Sequence, residues 1–316
     1  MRYNNLMSRD TLAVLGYKKQ VDARLLAVLA DAKKEYKNLP WSADAIDKLV
    51  QFVVAGKTVR GSLVIYSYRL FHKDMPPVVL DAAAALELFH SGLLIHDDIM
   101  DRDTIRRGKP TVHSQYEMLA AQKKGTDCTH FGISEAINLA DLCYFLGFRL
   151  LSVAGAVIIE LVGRELAAVT LAQMQDVAGS HLPTRYSKKD ILTLYRYKTA
   201  RYTFSLPFLV GALLSQTDDR IRTELTELGE SLGLLFQIRD DELNALGKSE
   251  ETGKSTGSDT SNHTQTLRSV IEENELGRTR QEARVHAQSI LRTLPVSDEH
   301  RRELVSLLRF CEERTA

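Results

Sequence analysis

Residues 80–101 read LDAAAALELFHSGLLIHDDIMD, an alanine- and leucine-rich run that ends in three carboxylates. No proline interrupts this run, and its apolar residues recur at the three- and four-residue spacing of an α-helix. Pro76-Pro77 lie just ahead of it, and proline is favoured at the first position of a helix. The stretch therefore predicts one long apolar helix with an acidic end.

The same spacing extends over most of the chain. Only 7 prolines and 18 glycines punctuate the 316 residues, and the leucines at 225, 228, 232 and 235 give a second clear example. Alternating strand-like patterns are scarce. The sequence therefore predicts an all-α protein, a bundle of roughly ten or more helices.

Capping residues and polar stretches mark where helices begin and end. Ser187 is the predicted N-cap of a helix around 192–212, and Ser297-Asp298 is the predicted start of the last helix. Two polar interruptions, 122–130 and 247–266, are predicted to be loops.

Composition limits the class of protein. Lys plus Arg and Asp plus Glu both number 41, so the formal net charge is zero, which argues against a nucleic-acid binder. The cysteines are odd in number and far apart, as expected of reduced thiols: Cys128, Cys143 and Cys311. The N-terminus lacks the apolar core of a signal peptide, and no run of about 18 uncharged apolar residues predicts a transmembrane segment. A cytoplasmic protein is therefore predicted. Because internal repeats and Gly/Ser linkers are absent, 1–316 is predicted to be a single domain.

Asp97, Asp98 and Asp101 form a first acidic cluster. At about 100° per residue, Asp97 and Asp101 share one helix face, and His90 lies above them two turns earlier. Three carboxylates so close repel one another unless a cation lies between them. Their oxygens suit Mg²⁺, which takes one or two protein carboxylates per ion together with substrate phosphates. The alternative is an ordinary solvated helix end.

Arg106 and Arg107 follow five residues later, ahead of the loop Gly108-Lys109-Pro110. Guanidinium groups present planar forks to phosphate oxygens. A metal-binding acidic cluster beside a phosphate-binding cationic pair is the layout that a metal–diphosphate substrate requires. The alternative is a cluster of salt bridges between these acids and arginines.

Asp240 and Asp241 form a second acidic cluster on another apolar helix. Gln237, Asp241 and Asn244 fall within about 60° of one another, roughly opposite the leucine stripe. The pattern fits a second metal site, and it equally fits the solvated face of an amphipathic helix.

The segment that follows the second cluster reads GKSTGSD at 253–259. Its lysine, Lys254, and its backbone N–H groups could surround a phosphate, although lysine and glycine in a loop indicate little by themselves.

The order of these elements resembles that of the trans-prenyl (isoprenyl) diphosphate synthases over nearly the whole chain, from about Gly56 to Leu267. The motifs that match in order and spacing are Gly56-Lys57-Thr58-Val59-Arg60, Glu87-x-x-His90, Asp97-Asp98-Ile99-Met100-Asp101 with Arg106-Arg107-Gly108, Gln173-x-x-Asp176, Lys198-Thr199-Ala200, Phe236-Gln237-x-x-Asp240-Asp241 and Gly253-Lys254. The resemblance implies a helical bundle of the isoprenoid synthase type around a deep central cavity, normally a homodimer. It also implies a prenyltransferase that condenses isopentenyl diphosphate with an allylic diphosphate to give a linear all-trans prenyl diphosphate.

The resemblance also assigns roles to single positions. It implies three Mg²⁺ per active site, with metal ligands Asp97, Asp101 and Asp240. The residues implied to act in catalysis are Asp97, Asp98, Asp101, Lys198, Thr199, Gln237, Asp240 and Asp241. Those implied to hold the allylic diphosphate are Arg106, Lys198 and Lys254, and those implied to hold isopentenyl diphosphate are Lys57, Arg60, His90 and Arg107.

Two positions depart from the family pattern. Asn244 stands where the second acidic motif usually ends in Asp, and Thr264 stands where a lysine is often found. Both changes remove charge, so a low-activity or regulatory subunit of a heteromeric synthase is an alternative function. A terpene cyclase is a third, but it needs no isopentenyl diphosphate site, and the residues for that site are all present.

Product length is predicted from the helix ahead of Asp97. Bulky residues there set the floor of the pocket in this family, and Phe89 is the first large ring met. Three residues of helix are about 4.5 Å, roughly one isoprene unit. The sequence therefore predicts Phe89 as the floor and a C20 (geranylgeranyl) product, with C15 and C25 or longer as alternatives. An ordinary core role for Phe89 is the competing interpretation.

Overall fold

The computed structural model describes residues 13–245 and 265–314. Its α-helices are, in chain order, α1 Lys18–Glu35, α2 Ser42–Val54, α3 Val59–Arg69, α4 Pro77–Met100, α5 Val112–Gln122, α6 Cys128–Leu151, α7 Ala156–His181, α8 Lys188–Tyr195, α9 Leu206–Leu214, α10 Asp219–Ala245, α11 Leu267–Val270, α12 Glu273–Thr293 and α13 Asp298–Glu313. A short 3₁₀ turn at Ser152–Ala154 and a π-helical segment at Arg196–Ser205 complete the helical elements. The predicted all-α fold is confirmed.

Helix α4 is the long apolar helix that the opening stretch predicts, and it begins at Pro77. It lies in the middle of the bundle, and 67% of its most apolar 18-residue stretch is buried. By length and composition alone α4 and Cys128–Ala154 could each cross a membrane, as could α2 and α3 taken as one bent pair. The sequence prediction concerned uncharged runs of about 18 residues, and α4 contains no such run, since Asp81 and Glu87 interrupt its apolar stretch. A helix surrounded by other helices has to be apolar on nearly every side, which explains the composition of α4.

Two large apolar clusters build the core, and α3 contributes to both. Val64 and Ile65 pack with α1, α4 and α6, whereas Leu63 and Tyr66 pack with α9, α10 and α13. The prediction of a single domain over 1–316 remains a prediction.

The predicted helix around 192–212 is one continuous rod made of α8, the π-helical segment and α9. Ser187 caps it as predicted, since its side chain accepts from the Asp190 N–H and Asp190 accepts in return. Gly233 on α10 permits close contact with the π-helical segment, because a Cβ there would lie 2.2 Å from the Ala200 Cα. The segment Lys198-Thr199-Ala200 is thereby pressed against the helix that carries the second acidic cluster.

A small β-hairpin follows α4 in the region predicted as a loop. Strands β1 (Ile105–Arg106) and β2 (Lys109–Pro110) pair antiparallel, with Arg106 opposite Lys109. Arg107 and Gly108 form the turn with φ of 53° and 71°. This hairpin folds Arg106 back toward the end of α4.

Candidate active site

A deep cavity of about 1480 Å³ lies between α4, α7, the π-helical segment and α10. Nine of the residues predicted for the site line it: Arg60, His90, Asp97, Asp101, Lys198, Thr199, Gln237, Asp240 and Asp241. Their sequence positions span 60 to 241, so the fold brings together motifs that are far apart in the chain.

The first acidic cluster is held by partners close to it in sequence. Asp98 is buried, and the Arg106 Nε donates to its Oδ1 at 2.5 Å. A second Arg106 nitrogen lies 3.6 Å from the Asp97 Oδ2. Burial raises the pKa of Asp98 to about 6, although the Arg106 guanidinium acts in the opposite direction. Arg106 therefore forms salt bridges with the cluster, and its predicted contact with a diphosphate stays a prediction.

Lys198 joins the first cluster to α7. Its ammonium group pairs with Asp176, and Gln173 donates to the Asp97 Oδ1 at 3.1 Å. Burial opposes the charge of Lys198, but the carboxylates of Asp176, Asp97 and Asp101 together raise its pKa. Lys198 is consequently a charged donor at the cavity wall.

The second acidic cluster has partners from remote parts of the chain. Asp240 pairs with Arg314, whose guanidinium lies 3.8 Å from the centroid of the Phe236 ring. Asp241 accepts from Tyr195 and, at 2.8 Å, from the Gln237 Nε2.

A group of cations lies at the cavity wall near the start of α3. Arg60 donates to the Thr203 Oγ1 at 2.6 Å and its guanidinium lies 4.5 Å from the centroid of the Tyr202 ring. Burial lowers the pKa of His90 well below its usual value, and the charges of Arg60 and Arg107 lower it further. His90 is therefore a neutral ring beside a cationic pocket.

Two buried polar atoms in this pocket, the Arg60 Nε and the Tyr202 Oη, have no hydrogen-bond partner among the described residues. Buried donors are nearly always paired in folded proteins. Neither atom is accessible, so this pocket contains two polar groups that the described residues leave unsatisfied.

Lys57 and Arg107 do not line the cavity, but they belong to the same cationic neighbourhood. Burial lowers the pKa of Lys57, and the charges of Arg314 and Arg107 add to this lowering. The Arg107 guanidinium packs beside Gly56, and its Nη1 donates to the Phe52 carbonyl at 3.3 Å. Lys254, the remaining predicted cation, lies outside the described residues.

Phe89 does not line the cavity either. It is fully buried, and its ring centroid lies 4.7 Å from that of Phe148. Phe148 and Tyr144 of α6 line the cavity together with Leu93. The predicted floor is therefore corrected: Phe89 packs against Phe148 of α6, and it is Phe148 that lines the cavity.

The structure adds residues to which the sequence gave no role. Gln173 and Asp176 were part of the matching motifs, so a signal for them existed. No sequence motif pointed to Tyr195, Tyr202 or Arg314, because their partners are distant in sequence.

The carboxylates fit Mg²⁺ by their chemistry. Among the described residues no group of three or more His, Cys, Asp or Glu side chains is arranged to hold a metal alone. Mg²⁺ does not need such a group, since it binds through one or two carboxylates together with waters and phosphate oxygens. Asp97 and Asp101 on one wall and Asp240 on another supply hard oxygens of this kind.

Comparison with solved structures shows the same fold. The chain is similar to geranylgeranyl pyrophosphate synthase from Corynebacterium glutamicum, complexed with isoprenyl diphosphate and magnesium (TM-score 0.80, 24% identity, 94% of this chain and 98% of that one). It is also similar to polyprenyl synthase from Caulobacter crescentus, complexed with calcium and isoprenyl diphosphate (TM-score 0.77, 21% identity, 97% and 98%).

Sequence comparison gives closer relatives. The short chain isoprenyl diphosphate synthase of Methanocaldococcus jannaschii is 34% identical over 210 residues, 65% of this chain and 58% of that protein's length. The farnesyl diphosphate synthase of Geobacillus stearothermophilus is 33% identical over 229 residues, 68% of this chain and 71% of its own. The pattern of the polyprenyl synthetase family matches residues 40–307, more than half of the chain. The chain belongs to the polyprenyl synthetase family.

Proposed function

We propose that the protein is a Mg²⁺-dependent prenyltransferase that condenses isopentenyl diphosphate with an allylic diphosphate. The observation that carries this proposal is one cavity with two acidic clusters, a cationic pocket and an apolar extension in its wall. The acidic clusters and the cationic pocket suit the charged diphosphate groups of the substrates, and the apolar extension suits their hydrocarbon tail.

The two acidic walls would hold the allylic diphosphate through metal. Asp97, Asp101 and Asp240 are the residues that would bind Mg²⁺, and three ions per site are part of the proposal. When bound, the metal supplies positive charge to the leaving diphosphate. Lys198 would support the same charge directly as a half-buried ammonium group at the wall.

The cationic pocket would hold isopentenyl diphosphate. Arg60 and His90 line the cavity, and Lys57 and Arg107 add charge from behind. The guanidinium of Arg60 would pair with phosphate oxygens there. A neutral His90 can donate one N–H to the diphosphate, and it adds no further repulsion to the cations around it.

Thr199 and Gln237 line the cavity near both diphosphate positions. Their oxygens would stabilise the positive charge that develops on the allylic carbon as its bond to the diphosphate breaks. The double bond of isopentenyl diphosphate attacks that carbon, and the proton that leaves afterwards would pass to the released diphosphate. Apolar walls keep water from the cation.

The growing tail would extend along Leu93, Tyr144 and Phe148. We propose a C20 product, with C15 and C25 or longer as the competing lengths. Tyr144→Ala should lengthen the product more than Phe89→Ala, because Tyr144 lines the cavity and Phe89 only backs Phe148.

A homodimer is part of the proposal. Large apolar side chains stand 65–69% exposed on α6, the 3₁₀ turn and α7: Phe145, Val153, Val157, Leu171 and Met174. Exposed apolar groups in such number mark interaction surfaces, and a second copy would cover them. Sedimentation should give twice the chain mass, and Phe145→Asp with Val157→Asp should give single chains. A cytoplasmic location is likewise proposed, in keeping with free thiols at all three cysteines.

The test is an incubation of the purified protein with labelled isopentenyl diphosphate, Mg²⁺ and one primer at a time. Dimethylallyl, geranyl and farnesyl diphosphates serve as primers, and products are sized after dephosphorylation. A discrete elongated prenol is expected, and it requires both substrates. No incorporation from any primer would contradict the proposal and favour the regulatory-subunit alternative.

A further inference from the structure

A chain of four hydrogen bonds runs from α11 to the π-helical segment. The Leu267 N–H donates to the Tyr195 Oη at 2.8 Å, and that hydroxyl donates to Asp241. The Gln237 Nε2 donates to the other oxygen of Asp241 at 2.8 Å. The Gln237 Oε1 accepts from the Thr199 hydroxyl at 2.7 Å.

The donors and acceptors in this chain leave only one direction for its protons. A backbone N–H can only donate, so Tyr195 accepts there and its own proton goes to Asp241. The NH₂ group of Gln237 donates to Asp241, so the Gln237 carbonyl faces Thr199. The Thr199 hydroxyl therefore donates its single proton to the Gln237 carbonyl oxygen.

The direction of the Thr199 proton matters because Thr199 lines the cavity. With its proton donated to Gln237, Thr199 can meet a ligand in the cavity only through its oxygen lone pairs. Lone pairs stabilise a nearby positive charge, whereas an O–H directed into the cavity would bind a diphosphate oxygen. The arrangement suits a wall that faces a carbocation.

We infer that Tyr195 is a positioning residue, which holds Asp241 as the fixed acceptor of this chain and so keeps the Thr199 lone pairs toward the allylic carbon. The inference rests on the proposed function. Tyr195 is 5% exposed and ties together α8, α10 and the first residue of α11. Burial and the neighbouring Asp241 carboxylate raise the pKa of Tyr195, so that it remains a neutral donor.

Tyr195→Phe removes only the hydroxyl. We expect kcat to fall about tenfold, with KM for both diphosphates within about twofold, since the change acts on the charged intermediate and not on substrate binding. The matched control is Tyr186→Phe, which removes a phenol hydroxyl that donates to the Gln175 carbonyl at 2.5 Å, outside this chain of bonds. The control should keep the wild-type kcat. Thermal melting curves of both variants show whether either substitution lowers the stability of the fold.

Two further measurements separate the outcomes. The double variant Tyr195→Phe/Asp241→Asn should lose no more than Asp241→Asn alone, because Tyr195 acts through Asp241. If the kcat losses of Tyr195→Phe and Asp241→Asn simply multiply in the double variant, the inference is overturned. It is also overturned if Tyr195→Phe has the same kcat as the control Tyr186→Phe. If the wild type itself makes no product, the proposed function fails, and a crystal structure of Tyr195→Phe still decides on the positioning role. It should show the Asp241–Gln237 contact broken or rotated; an unchanged contact would refute the role.

Discussion

The two acidic clusters differ in where their partners come from. In the first, Asp98 pairs with Arg106, eight positions along the chain, on a hairpin that follows α4 directly. In the second, Asp241 takes its hydrogen bond from Tyr195, 46 positions away, and Asp240 pairs with Arg314, 74 positions away. The arginine of the first cluster is therefore local in sequence, and the arginine of the second comes from a remote part of the chain. The amide partners show the opposite pattern, since Gln173 is 76 positions from Asp97 and Gln237 is 4 positions from Asp241.

This difference has a consequence for metal binding. In the first cluster Arg106 lies 2.5 Å from the buried Asp98 and 3.6 Å from Asp97, so its shorter contact is not with a residue proposed to bind metal. Asp97 and Asp101 line the cavity. In the second cluster the partner sits on Asp240 itself, the residue proposed to bind metal. A metal ion that reaches Asp240 has to share it with Arg314 or displace it, so the two sites should respond differently to substitution.

The largest loss of activity is expected when a proposed metal-binding carboxylate is removed from either cluster. Asp97→Asn and Asp240→Asn should each lower kcat/KM by about a hundredfold or more, because each removes a charge that would hold metal against the diphosphate. Asp219→Asn is the control, since that carboxylate is 98% exposed on the same helix as Asp240. Full activity in either active-site variant would show that its cluster takes no part.

Removal of Arg106 should affect stability most. Arg106→Gln leaves the buried Asp98 carboxylate without its cation, a loss of about 3 kcal/mol in the free energy of unfolding. The pKa of Asp98, already raised by burial, would rise further. Because the folded variant then takes up this proton more readily than the unfolded chain, the loss should be largest above about pH 7 and shrink toward pH 5.

Denaturant titrations of Arg106→Gln at several pH values measure this loss, with the exposed Arg309→Gln as the control. A loss that does not change with pH would show that Asp98 is not the group responsible.

Removal of Arg314 should sharpen the contrast between the clusters. Arg314→Gln frees Asp240 from its guanidinium, so the Mg²⁺ concentration for half-maximal activity should fall about threefold. Binding of Mn²⁺ in the presence of inorganic pyrophosphate, followed by electron paramagnetic resonance, should tighten to a similar degree. A weaker Mn²⁺ affinity in this variant would mean that Arg314 helps to hold the ligand instead of competing with the metal.

The smallest effect is expected at Asn244, which is exposed on the cavity side of α10. Asn244→Asp restores a charge that the family pattern usually has, and it should lower the half-maximal Mg²⁺ concentration about twofold with kcat nearly unchanged. Asn244→Ala should leave that concentration where it is. A large gain in kcat for Asn244→Asp would instead support the view that the natural chain is a low-activity subunit.

Local sequence patterns predicted the helices, the Ser187 cap and the first cluster, because helical period and capping depend on neighbours a few residues apart. The same patterns could not identify Arg314 or Tyr195 as partners of the second cluster. They also misplaced the cavity wall at Phe89, since counting turns along α4 gave no information about Tyr144 and Phe148 on α6.

The most direct test is a crystal structure of the protein with Mg²⁺ and a thiolo analogue of dimethylallyl diphosphate, whose C–S bond does not ionise readily. We expect the diphosphate to lie between Asp97 and Asp101 on one side and Asp240 on the other, with metal at both clusters and Arg314 moved from Asp240. A diphosphate bound elsewhere, or metal at one cluster only, would contradict the claim that the two clusters act on one substrate.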